Sequence, residues 1–199
     1  MTRLMGWRNP GLFLFLAQLI VTPDFVGFTP SVIAAIPQEL PAIFAESYEE
    51  DYRAYHCDFN IHSLLQRMSQ QRISLRGSYV LYLYDPEDLG ALFGNGGYSD
   101  GINPSSPRQR VRAWGFHVVL DYQGMILDLD YTEEPLIVPI QEYFMSMFPE
   151  ESSQMFVRPI PTSDYLRDYT EDGDHSYFYY LLDSPYPGYP VEDYIAARS

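Results

Sequence analysis

Lysine is absent from this 199-residue chain, and cysteine occurs once, as Cys57. All 12 basic residues are arginines. Without lysine there is no Schiff-base chemistry, no phosphate-gripping P-loop lysine, no Ser-Lys hydrolase and no side-chain ubiquitination site. A lone cysteine excludes an intrachain disulfide, so a secreted form would lack such staples. Positive charge is scarce as well. The net charge of −15 argues against a nucleic-acid backbone or an anionic membrane as the main partner and leaves cationic or neutral polypeptides. The apolar run Gly11–Val21 is too short for a transmembrane helix, which needs ~20 residues.

What is present is apolar and aromatic. Apolar residues make up 46% of the chain and aromatics 16%, with 18 tyrosines and 12 phenylalanines, which is far too much apolar material for a disordered chain. The length fits one domain with a sizeable core and an N-terminal appendage. We divide the chain into an apolar extension over 1–45 and a domain over 46–199. Residues 1–35 admit two readings. Arg3 and Arg8 before the apolar run, with Ala34 and Ala35 after it, are arranged like a secretory signal. Pro23, Pro30 and the long gap before Ala34 suit instead an apolar helix packed on the domain. The first reading places the protein outside the cell, the second in the cytoplasm.

An acidic cluster from Glu46 to Asp51 leads into the domain. After it Ile61, Leu64, Leu65 and Met68 recur at i, i+3, i+4 and i+7, one face of a helix. Asp58 or a residue just before it can cap that helix. Cys57 then stands at a helix N-terminus, where free N–H groups and the dipole are expected to stabilise a thiolate and lower its pKa. Tyr79–Tyr84 reads as a strand ended by Asp85-Pro86. Residues 90–107, with Gly94-Asn95-Gly96-Gly97, read as a long loop. Arg108, Arg110 and Arg112 alternate, as on a solvated strand face.

Residues 113–121 and 125–130 read as a hairpin around Asp121–Gly124. A two-residue loop pairing 121 with 124 sets His117 opposite Asp128, close enough for a hydrogen bond. A left-handed bulge at Gly124 slips the register by one and turns Asp128 away. Both registers stay open at this level. Farther on lie an amphipathic segment with Tyr143, Phe144, Met147 and Phe148, the run Asp164–Asp168, and a proline-rich loop at 184–190.

One thiol, one histidine opening an apolar strand and one carboxylate near the next strand's end are the parts of a cysteine hydrolase. Cys57 would attack, His117 would serve as base and then acid, and Asp128 would fix the imidazole. The Cys57 N–H would supply part of an oxyanion hole. The plain alternatives are a buried structural His117 and an acidic strand end at Asp128 and Asp130. His56 is a rival base, but its neighbour in a chain entering a helix points elsewhere. His62 is expected at the surface. A metal site from His56, Cys57 and His62 lacks ligand spacing, so no metal is expected.

The segments Tyr55-His56-Cys57-Asp58-Phe59-Asn60, Trp114-Gly115-Phe116-His117-Val118-Val119-Leu120, Leu127-Asp128-Leu129-Asp130 and Ser163-Asp164-Tyr165-Leu166 resemble, in the same order, the protein N-terminal glutamine amidohydrolase family. That family carries Cys-Glu-Glu-Asn, Trp-Asp-Tyr-His-Val-Val-Leu, Tyr-Asp-Leu-Asp and Ser-Tyr-Leu. Asp174-His175 and the loop at 184–190 fall where the family has a histidine and a proline-rich loop. The resemblance spans roughly residues 48–195.

It implies an α+β, papain-like or transglutaminase-like cysteine hydrolase fold: a helix bearing the nucleophile at its N-terminus, packed on an antiparallel sheet that carries the His and the Asp. It also implies a Cys57-His117-Asp128 triad. The implied reaction hydrolyses the side-chain amide of an N-terminal glutamine to glutamate with release of ammonia, without a cofactor, marking the product for degradation through the N-degron pathway. The implied partners are proteins or peptides beginning with glutamine, met by a monomer in the cytoplasm. Asp58 and Trp114 are the substrate-binding candidates. Phe59 and Gly115 depart from the family pattern, where acids stand, which bears on selectivity for chain termini. The rival functions are deamidation of internal glutamines in a partner protein and a catalytically silent binding protein of the same fold.

Overall fold

The computed structural model describes residues 36–87, 102, 104–105, 114–149, 154–169, 180–181 and 184–198. The signal-like stretch at 1–35, the glycines at 94–97, Arg108, Arg110, Arg112 and Asp174-His175 lie outside the described residues. The chain is mixed α+β, with five helices and one six-stranded antiparallel sheet among the described residues.

The helical periodicity after the cysteine produces α2, Cys57–Gln70, which buries Ile61, Leu64, Leu65 and Met68. Helix α1, Leu40–Glu50, packs beside it through Leu40, Ile43 and Phe44. These three residues are part of the core, so the folded domain begins ahead of residue 46. The acidic cluster has a structural partner: Arg67 of α2 reaches Asp51 at 2.8 Å, Glu50 at 2.9 Å and Glu46 at 3.3 Å. The pairs are largely exposed, so each adds little stability; their effect is to hold the two helices in register.

Strand β1, Ser78–Tyr84, lies at the middle of the sheet. The other strands are β2, His117–Tyr122; β3, Met125–Leu127; β4, Ile137–Pro139; β5, Phe156–Pro161; and β6, Tyr189–Pro190. Their order is β4-β3-β2-β1-β5-β6. Alternation along β1 sends Val80, Tyr82 and Tyr84 to one face and Leu81 and Leu83 to the other. Both faces are covered, which is why this strand reads as an unbroken apolar run. Helices α1, α2 and α4 (Thr162–Asp168) build the first core. Helices α3 (Ile140–Met147) and α5 (Val191–Arg198) build the second.

The hairpin differs from both registers considered above. Tyr122 pairs with Met125 and Leu120 with Leu127, so the turn is Gln123-Gly124, one residue later than expected, and the pairing shifts by two. Both turn residues have positive φ, 56° and 94°, as the right-handed twist of a two-residue hairpin requires. Asp121 tightens it by accepting the Gly124 N–H at 2.6 Å. By this register Asp128 is not directly opposite His117. The shift is even, so side-chain parity is kept, and β3 leaves the ladder after Leu127.

Candidate active site

Three segments meet at the end of the sheet where β2 begins. The entry to α2 is held by buried Asn60, whose side chain accepts the Arg53 N–H at 2.8 Å and donates to the Arg53 carbonyl at 2.9 Å. Tyr55 turns the chain with φ 66°, and His56 is the residue before the helix, with no side-chain cap; Asp58 lies inside the first turn and caps nothing. The His56 ring donates to the Ala54 carbonyl at 2.8 Å and is exposed, so it is drawn away from the thiol. The Tyr165 hydroxyl donates to the Asp58 carbonyl at 2.9 Å and fixes the first turn from the other side. Cys57 is therefore the first residue of α2, half-buried against the first core.

His117 opens β2 and is 2% exposed. Its Nε2 lies 3.0 Å from Asp128 Oδ2, and the ring and the Cys57 thiol interact electrostatically. With Nε2–H donating to the carboxylate, Nδ1 is the nitrogen left to face sulfur, so the neutral ring presents an acceptor there. The Trp114 ring covers the imidazole, its centroid 4.0 Å away, and Trp114 is itself held by a two-way backbone bridge to Ile102. It is buried under the histidine, whereas Asp58 keeps some exposure beside the thiol.

Sequence reasoning missed the shell around the carboxylate. Tyr143 of α3 donates to Asp128 Oδ2 at 2.8 Å, and the Asp130 N–H donates to Asp128 Oδ1 at 2.9 Å. Tyr52 in turn donates to Asp130 Oδ1 at 2.6 Å. Hydrogen bonds to a charged acceptor are worth ~1.5–3 kcal/mol each, enough to hold a buried carboxylate in one orientation. Tyr143 lies 15 residues beyond Asp128 on α3 and Tyr52 lies 78 residues before Asp130, just past α1, and no local signal marks them.

His62 is not a surface residue. It is 6% exposed, stacked on Tyr169 at 3.8 Å and bonded to Gln66 at 2.8 Å. The amphipathic face of α2 is wider than the apolar residues alone suggest, and the aromatic residues of α4 and its end cover it.

The thiol's acidity also runs against the expectation from the helix terminus. Burial pushes Cys57 above the usual 9.0, the hydrogen bond and charge of His117 pull it down without prevailing, and the charges of Asp58 and Asp130 raise it further. His117 moves the same way for other reasons. Burial disfavours the imidazolium, but the charge and hydrogen bond of Asp128, then those of Cys57, hold it well above 6.5. Both groups thus hold their protons to higher pH than the free side chains do.

No family model matches the sequence, and no curated protein matches it. The chemistry of the site rests on its own atoms. His117, Asp128 and Asp130 bring ligand atoms within 4.8 Å of one another, a set that could hold a cation. Their lone pairs and protons are instead engaged with each other, Tyr52 and Tyr143. No helix among the described residues is long and apolar enough to cross a membrane.

Proposed function

We propose that the protein is a cysteine-dependent amidase of papain-like arrangement that hydrolyses the side-chain amide of glutamine at a peptide N-terminus. The observation that carries this reading is the chain of contacts from a half-buried thiol at a helix N-terminus, through a buried imidazole, to a buried carboxylate with two further donors.

The reaction runs in two halves. After the Cys57–His117 pair has lost one proton, the sulfur attacks the amide carbon and the carbonyl electrons move to oxygen. The first N–H groups of α2 have no intrahelical acceptors, and the one on Cys57 can bond that oxyanion. When the intermediate collapses, the carbon–nitrogen bond breaks and the imidazolium gives its proton to the departing ammonia. Water then enters, His117 takes its proton, and hydroxide attacks the thioester to release glutamate and restore the thiol. Asp128 accepts from the imidazole and steadies the imidazolium throughout.

A second reading is favoured by one contact. The Arg53 guanidinium stacks over the Phe59 ring at 3.6 Å, where a relative's acid would stand two residues after the cysteine. A cation beside the site disfavours a protonated α-amine and suits an internal glutamine of a partner protein.

Mass spectrometry of peptides carrying glutamine at the N-terminus or inside tests both. We expect conversion to glutamate with stoichiometric ammonia, abolished in Cys57→Ala while the circular dichroism spectrum is unchanged. Ammonia release at the wild-type rate from that variant would end the enzyme reading. The peptide that is converted distinguishes terminal from internal selectivity.

A further inference from the structure

Of the buried side-chain atoms that find no hydrogen-bond partner among the described residues, the Tyr82 hydroxyl belongs to the strand residue paired next to His117. Tyr82, in the middle of β1, is fully buried, and its hydroxyl finds no hydrogen-bond partner among the described residues. Desolvating a hydroxyl without a partner is unfavourable, so such a group calls for a reason outside the fold's own stability. Its surroundings supply one. Tyr82 pairs with Val118, next to His117, and its ring lies 6.3 Å from that of Phe116 on the other side of the histidine. Strand parity turns it to the face against which Cys57 packs. Burial pushes its pKa well above the usual 10, and the next contributors are the negative charges of Asp58 and Cys57. The phenol is therefore a donor without an acceptor, on the core face against which Cys57 packs.

We propose that the Tyr82 hydroxyl is a catalytic group that donates its hydrogen bond to the oxyanion formed when Cys57 attacks a carbonyl, completing with the Cys57 N–H a two-donor hole. The unused donor acquires its acceptor only when the carbonyl carbon becomes tetrahedral. A group idle in the resting enzyme and bonded at the transition state lowers the barrier without tightening ground-state binding. For the amide the inference rests on the reading proposed above, but the oxyanion step is common to any acyl transfer to this sulfur.

The test compares two reactions of the same thiol in the full chain. Acylation by p-nitrophenyl acetate forms the sulfur–carbon bond through an oxyanion and expels nitrophenolate. Alkylation by iodoacetamide forms a sulfur–carbon bond at a methylene carbon, expels iodide and builds no oxyanion. In Tyr82→Phe we expect acylation to slow by ~10²–10³-fold, the size of one lost oxyanion donor, with alkylation changed by less than about twofold. The melting temperature should hold or rise, since no bond of the fold is removed. Equal slowing of both reactions, undiminished acylation, a clear loss of thermal stability, or a wild-type thiol that alkylates but resists the ester would each overturn the proposal. Ammonia release from glutamine peptides is read separately. Slowed acylation in the variant with no wild-type ammonia would retire the amidase reading and keep Tyr82. Wild-type ammonia with undiminished acylation in the variant would do the reverse.

Discussion

Cys57 and His117 share a proton inventory that sets when the site can work. Both groups are shifted upward, Cys57 from 9.0 mainly by burial and His117 from 6.5 by its neighbours against burial. Near neutrality the pair holds one proton too many, and activity needs one to leave. The ascending limb of kcat/KM should lie above pH 6.5, and the descending limb, where the imidazolium needed by ammonia is lost, at still higher pH. A rate profile of ammonia release between pH 5 and about 10 checks this, the limbs of kcat/KM reporting the free enzyme. A plateau already reached at pH 5 would show an ion pair preformed in acid, against these shifts. The linkage sign is the same for stability. His117 binds its proton more tightly folded than unfolded, so its contribution is fully present below 6.5 and fades as pH rises through the folded value. The three side chains of the candidate site could be singled out in the sequence because each is rare or well placed: the only cysteine, a histidine opening an apolar strand, an aspartate just past the next. Tyr52, Tyr143 and Tyr82 could not. They are three of 18 tyrosines, and what distinguishes them is what their hydroxyls meet across the fold.

At the level of elements, the hairpin that carries His117 is anchored by one buried charge. Asp121 is fully buried, accepts the turn N–H of Gly124, and takes Tyr194 at 2.6 Å and Arg198 Nε at 2.7 Å from α5. Removing a single partner from a buried pair costs about 3–5 kcal/mol, because the guanidinium is left without compensation. Asp121→Ala should therefore lower the melting temperature by roughly 10 °C in a chain of this size. A drop of only a degree or two by calorimetry would mean that Arg198 finds water instead. The same hairpin shows where sequence reasoning stops. Helix α2 and strand β1 follow from periodicity, since Ile61, Leu64, Leu65 and Met68 mark a face and Tyr79–Tyr84 is apolar throughout. The turn does not, because Gln123 rather than a glycine or asparagine takes the first left-handed position. The buried end of α5 decides the matter: Asp121 could be the Arg198 partner and also accept the Gly124 N–H only if the chain reversed at 123–124.

Over the whole molecule the dominant physical fact is charge. Twelve arginines against 27 acids leave −15. Part of that is neutralised locally, by Arg67 among Glu46, Glu50 and Asp51 and by Arg167 between Asp164 and Asp168. The remainder acts as a long-range field. A peptide arriving with a protonated amine and basic residues moves down that field, and one rich in glutamate moves against it. At low ionic strength kcat/KM for a glutamine peptide bearing several arginines should exceed that for an acidic peptide of equal length by on the order of tenfold. Kcat, set by the site itself, should differ little. Raising salt toward 0.5 M shortens the screening length to a few ångströms, ~3 Å at 1 M, and should close the gap from the cationic side. Equal efficiencies at low salt, or a gap that salt leaves untouched, would show that local contacts such as the Arg53–Phe59 stack govern peptide choice. The two origins separate because a contact at the cleft changes discrimination at every ionic strength, whereas the field of the whole chain acts only while it is unscreened.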